Sequence, residues 1–62
     1  MTLETEIAIA IMNNRGDYMD YKTGKIYALP TPQTCGTNYQ QETYARIKAR
    51  EIIEKHNLNK YY

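Results

Sequence analysis

A chain of 62 residues with a formal net charge of +1 is long enough for one domain and too short for a deep core, since chains of this size hide only about 60% of the surface they expose when unfolded. One cysteine, one histidine and no serine exclude an intramolecular disulfide, a four-ligand zinc site and a Ser-His triad. The longest apolar run, Ile7 to Met12, is far below the roughly 20 residues of a membrane span, and no basic segment followed by an apolar stretch opens the chain, so a cytoplasmic protein without a membrane partner is expected.

From Thr2 to Asn14 two patterns compete. Ile7, Ile9 and Ile11 alternate with Ala8 and Ala10 as in a strand, while Leu3, Ile7, Ala10 and Ile11 share one helical face. The flanks favour a helix: Thr2 suits an N-cap, Glu4 and Glu6 suit the first turn, and Arg15 followed by Gly16 supplies a basic last turn and a residue free to take positive φ. Asp17 to Leu29 reads as a β-hairpin, with Tyr18, Met19, Tyr21, Ile26 and Tyr27 flanking Lys22-Thr23-Gly24-Lys25. Pro30 and Pro32 end its second strand because neither can donate to a ladder.

Thr31 to Gly36 reads as a polar loop, and Thr37 with Gln40 is a capping-box signature opening a second helix that runs to about Asn57. Its apolar stripe is Gln41, Ala45, Ala49, Ile52, Ile53 and His56, with Tyr44 and Ile47 off the stripe. Glu42 with Arg46 and Glu51 with Lys55 stand four apart in the favourable acid-first order. The tail Asn59 to Tyr62 carries no pattern. The fold expected is therefore a single small α+β domain over residues 1–62, α-β-β-α with a central hairpin and a long C-terminal helix, or β-β-β-α if the first segment is a strand.

The inventory for catalysis is poor, and a non-enzyme with no cofactor, no metal and no small-molecule substrate is expected. Cys35 lies in a Pro/Gly loop with no partner positioned to activate its thiolate. Asp17 and Asp20, three apart, read as a turn carboxylate and an exposed strand residue rather than a metal pair. Arg15-Gly16-Asp17 spells an adhesion tripeptide but coincides with the expected helix end, and His56 reads as a packing residue near the C-terminal end of the second helix.

What the sequence favours is binding. A small core without disulfide or metal usually leans on a partner chain, and tyrosine offers large contact area at low rotamer cost. The expected protein-binding residues are Tyr21, Lys22, Lys25 and Tyr27 of the hairpin with Tyr44, Ile47 and Arg50 of the second helix. The partner would be a larger host protein or a second copy of the chain. An abundance of Lys, Asn, Ile and Tyr fits a low-GC genome, and a short Met-initiated chain fits a phage or mobile-element inhibitor, a class that includes anti-CRISPR proteins, although no motif resembles any of them. The alternative is a small nucleic-acid-binding regulator. Residues 1–20 carry four acids against Arg15 for a net of −3, whereas the remainder nets +4. Lys22, Lys25, Arg46, Lys48 and Arg50 could then neutralise phosphates while tyrosines stack on unpaired bases. The discriminating feature is which tyrosines face the helix and which face solvent.

Overall fold

The computed structural model describes residues 2–21 and 23–58, in the order α1 (Leu3–Met12), β1 (Asp17–Met19), β2 (Ile26–Ala28) and α2 (Asn38–Lys55). The α-β-β-α expectation holds, and the β-β-β-α alternative falls because Leu3–Met12 is helical. Local chemistry explains the choice. Thr2 is extended and its hydroxyl accepts from the Thr5 amide, while Glu4 and Glu6 occupy the first turn. Leu3, Ile7 and Ile11, four apart, are fully buried along one face, and Ala8 and Ala10 flank them. Ile9, which completes the strand-like alternation, points outward at 39% exposure.

The end of α1 differs from expectation. The helix stops at Met12, Asn13 is its cap, and Asn14 with φ 55 takes the left-handed position assigned to Gly16. Asparagine tolerates that conformation because its short polar side chain bonds locally. Gly16, also at positive φ, instead leads into β1, so Arg15 follows the helix and is no part of its last turn.

β1 and β2 form an antiparallel pair in the register Asp17↔Ala28, Tyr18↔Tyr27 and Met19↔Ile26. The hairpin turn is closed by Asp20 N–H to Lys25 O at 2.8 Å and Gly24 N–H to Asp20 O at 2.7 Å, with Gly24 left-handed as expected. Since Leu29 N–H also donates to Gly16 O at 3.0 Å, the pairs 16/29, 18/27 and 20/25 are the hydrogen-bonded ones. Tyr18 and Tyr27 lie side by side on the inner face, Tyr27 only 8% exposed and Tyr18 partly buried against the helix core.

α2 begins as its sequence predicts: the Thr37 hydroxyl accepts from Gln40 N–H at 3.2 Å and Gln40 Oε1 accepts from Thr37 N–H at 2.9 Å. Gly36 makes room for this box, since a Cβ there would collide with Gln40 Oε1, and its φ of +98° is one few other residues adopt. The helix runs antiparallel to α1, for Glu4 meets Arg50 at one end while Met12 lies beside Gln41 at the other. Ala45 and Ala49, fully buried, let the two helices approach closely over Leu3, Ile7, Ala8 and Ile11, and Ile53 extends the contact. Of the expected stripe, Ile52 and Gln41 are half-buried and His56 is exposed. His56 is the cap of α2 and rests its ring on Tyr27, with centroids 4.6 Å apart at 51°.

Candidate protein-binding surface

The hairpin divides its side chains cleanly. Tyr18 and Tyr27 face the helices, so Asp17, Met19, Ile26 and Ala28 face away. Two large apolar residues therefore stand as a cross-strand pair in solvent, Met19 at 48% and Ile26 at 66% exposure. Tyr21, at the first turn position, is 80% exposed. Between α1 and β1 runs a groove of about 370 Å³, with Ile9, Ala10, Tyr18, Met19 and Tyr21 as apolar lining and Glu6, Arg15 and Asp17 as charged lining. Exposed single apolar residues are ordinary on a protein surface. Here Ile9, Met19 and Tyr21 share one groove and Ile26 adjoins Met19 across the ladder, and it is contiguity that marks an interaction surface.

The expected binding residues separate against this geometry. Tyr21 and Lys25 are exposed on the hairpin; Lys22 lies outside the described residues. Tyr27 is corrected from interface to core, because the register places it opposite Tyr18 on the inner face and His56 covers its ring. Tyr44 is half-buried; it donates its hydroxyl to Thr31 O at 3.3 Å and fastens the loop ahead of α2. Ile47 is 49% exposed but stands among Thr43, Arg50 and Glu51 on its helix, with Tyr44 turned to the loop, so no second apolar patch forms there. Met19, Ile26 and Ile9 are the binding candidates that pattern reading missed. The only signal for the first two was alternation within the hairpin, which needed the register to say which parity faces out.

The basic helix face is also spoken for. Arg50 Nε donates to Glu4 Oε1 at 2.8 Å; Arg46 Nη1 reaches Glu4 Oε2 at 3.4 Å and Thr5 Oγ1 at 3.3 Å, while its Nε donates to Glu42 Oε2 at 3.0 Å. Arg50, then burial acting in the opposite sense, sets the Glu4 carboxyl, which ends below its ordinary range. The Glu42 carboxylate raises Arg46 further, with Glu4 adding to it. Lys48 Nζ lies 3.7 Å from Glu51 and 5.5 Å above the Tyr44 ring. Glu42–Arg46 thus forms as spaced, whereas Glu51 takes Lys48 in place of Lys55. Each of the three helix bases offered as alternative phosphate contacts, Arg46, Lys48 and Arg50, has a carboxylate neighbour, so this face of α2 is a mixed rather than a purely basic one.

The remaining candidates for chemistry are dispersed. Asp20, expected on the surface, is 4% exposed and accepts from Thr23 Oγ1 at 3.0 Å, so it braces the turn. Cys35 is an exposed free thiol whose backbone oxygen accepts from Gln33 Nε2 at 2.8 Å. Among the described residues no three His, Cys, Asp or Glu groups gather to hold a metal ion, and no helix is long and apolar enough to cross a membrane. No family model, curated protein or solved structure matches the chain.

Proposed function

We propose that this chain is a non-catalytic protein-binding module that docks onto a larger protein through its hairpin, with Met19 and Ile26 as the apolar centre, Tyr21 and Ile9 beside them, and Lys25 at the edge. The observation that carries this reading is the outward pair Met19–Ile26 adjoining the groove that Ile9 and Tyr21 line. A domain with so small a core places apolar residues outside only at a cost in solubility, which a partner surface offsets. Occlusion of a larger host protein by a small accessory protein, of the kind carried by phages and mobile elements, is the mode of action this supports. The face offers an aromatic and aliphatic centre with charges at its margin, the anatomy of ordinary protein interfaces.

The test is site-specific photo-crosslinking in cells, with a crosslinkable residue placed at Ile26, at Tyr21 and, as a control, at Glu54 on the exposed side of α2. A discrete adduct from positions 26 and 21 and none from 54, lost on Met19→Ser, is the expected outcome. Equal adducts from all three positions, or adducts from 54 alone, would refute the assignment. A parallel titration into single- and double-stranded DNA and RNA at low salt should give no binding that Lys25→Ala weakens; binding that it does weaken would favour the nucleic-acid alternative.

A further inference from the structure

The hairpin has two edges, and they are not alike. Because 16/29, 18/27 and 20/25 are the hydrogen-bonded pairs, the N–H and C=O groups of Asp17 and Met19 point away from β2, and those of Ile26 and Ala28 point away from β1. Among the described residues no backbone hydrogen bond outside the ladder takes up any of these groups. Bare edges invite pairing with another chain, and proteins guard them with lysine, proline, bulges or covering elements. β2 is guarded at both ends: Lys25 precedes it, and Pro30 and Pro32 follow it. β1 has no proline within or beside it and no bulge in its register; its charges are the terminal Asp17 and, at its flanks, Arg15 and the buried Asp20. The groove lined by Tyr18, Met19 and Tyr21 lies against this unguarded strand.

We propose that β1 pairs antiparallel with β1 of a second copy about a two-fold axis at Tyr18, giving a four-stranded sheet in the order β2-β1-β1-β2. The fit is self-complementary. With Tyr18 opposite Tyr18 of the second copy, Asp17 of each chain lies opposite Met19 of the other, and each such pair exchanges both N–H···O bonds. Every outward group of the strand is then satisfied and none is left over. The two Tyr18 rings meet on the inner face as a non-hydrogen-bonded pair, where cross-strand side chains come closest. Those partly buried rings already line the groove of their own chain, so pairing closes both grooves at once. Arg15 of one chain comes opposite Tyr21 of the other, an arrangement suited to a guanidinium over an aromatic face.

This inference goes beyond the docking reading and is separable from it: pairing covers the groove with Ile9 and Tyr21, whereas Ile26, on the outer face and outside that groove, stays in solvent and is duplicated across the enlarged sheet. The experiment is sedimentation velocity of the full chain over a wide range of concentration, with Met19→Pro and Ala28→Pro as paired variants. Each proline removes one outward N–H and no ladder hydrogen bond, and far-ultraviolet circular dichroism verifies that each variant is folded. The wild type and Ala28→Pro should rise with concentration from 7.3 kDa to twice that mass, while Met19→Pro stays at the lower mass. A wild type at 7.3 kDa throughout, or a dimer that folded Met19→Pro leaves intact, overturns the proposal. Should Met19→Pro unfold, amide hydrogen exchange on the wild type decides. Asp17 and Met19 must become protected as concentration rises while Ile26 and Ala28 do not, and any other pattern overturns it. A chain that remains monomeric yet crosslinks its partner through Ile26 loses the pairing and keeps the docking; a dimer that crosslinks only its own second copy does the reverse.

Discussion

Replacing Glu4 with glutamine should lower stability at neutral pH and do so less and less as the solution is acidified. The Glu4 side chain is 19% exposed and holds Arg50 and Arg46 of α2, so it is a polar clasp between helices otherwise joined by apolar contact. Hydrogen bonds to charged groups contribute about 1.5–3 kcal/mol when sheltered, and exposed ion pairs about 0.2–1 kcal/mol. Because Arg50 is 66% and Arg46 37% exposed, each of the two contacts belongs with the weaker class, and Glu4→Gln should cost about 0.5–1.5 kcal/mol in all. In a domain whose whole stability is about 3–5 kcal/mol that is a substantial share, and it lowers the thermal midpoint by about 4–8 °C for each kcal/mol lost. The Glu4 carboxyl lies below its ordinary value of 4.5 when folded, chiefly through the Arg50 hydrogen bond. A depressed acid gives its stabilisation in full above the unfolded value and loses it as pH falls through the folded one. Urea unfolding followed by circular dichroism at pH 7, and again in steps below pH 4.5, measures both effects. No change in midpoint at pH 7, or a difference that persists undiminished at pH 2, would refute the reasoning.

Other expectations follow from the same contacts. Ile7→Ala opens a cavity at a fully buried position and should cost about 2–5 kcal/mol, enough to leave the chain largely unfolded by circular dichroism at 25 °C. Ala49→Leu forces three extra carbon atoms into a fully buried helix contact and should cost about 1–3 kcal/mol, read as a lower urea midpoint. Gly36→Ala places a methyl against Gln40 Oε1 at a left-handed φ and should destabilise by more than about 1 kcal/mol. Adding Gln40→Ala should recover part of that loss if the collision is its cause. Burial, with Glu6 and Asp20 nearby, raises the Tyr18 hydroxyl above 10.0, so stability should decline as pH climbs above 10 towards the folded value. In a tyrosinate absorbance titration, Tyr18→Phe should remove the latest-ionising component.

Local chemistry made most of the fold readable in advance. The Thr37–Gln40 box, the Thr2 cap, the left-handed Gly24 and the stop at Pro30 each depend on residues within a few positions of one another, which is the range over which sequence determines backbone geometry directly. What was misplaced depended on distance in the chain. Tyr27 went to the core because pairing with Tyr18 fixed its face, and Asp20 was buried by the turn that follows it. Glu4 pairs with two arginines more than forty positions away, a contact that no local spacing announces. Within the hairpin the exposed apolar pair is Met19 with Ile26 rather than the tyrosines singled out by pattern, since β1 ends before Tyr21 and the outward parity is apolar.

The buried contacts of this domain join α1 to α2 across the hairpin. Leu3, Ile7 and Ile11 are covered by Ala45, Ala49 and Ile53, and between them lies a hairpin too short to be stable alone. During synthesis α1 therefore emerges with its apolar stripe bare and stays so until α2 has left the ribosome. Neither helix can fold first and wait for the other. Truncation or stalling anywhere before α2 yields an exposed amphipathic helix, a ready substrate for chaperones and proteases.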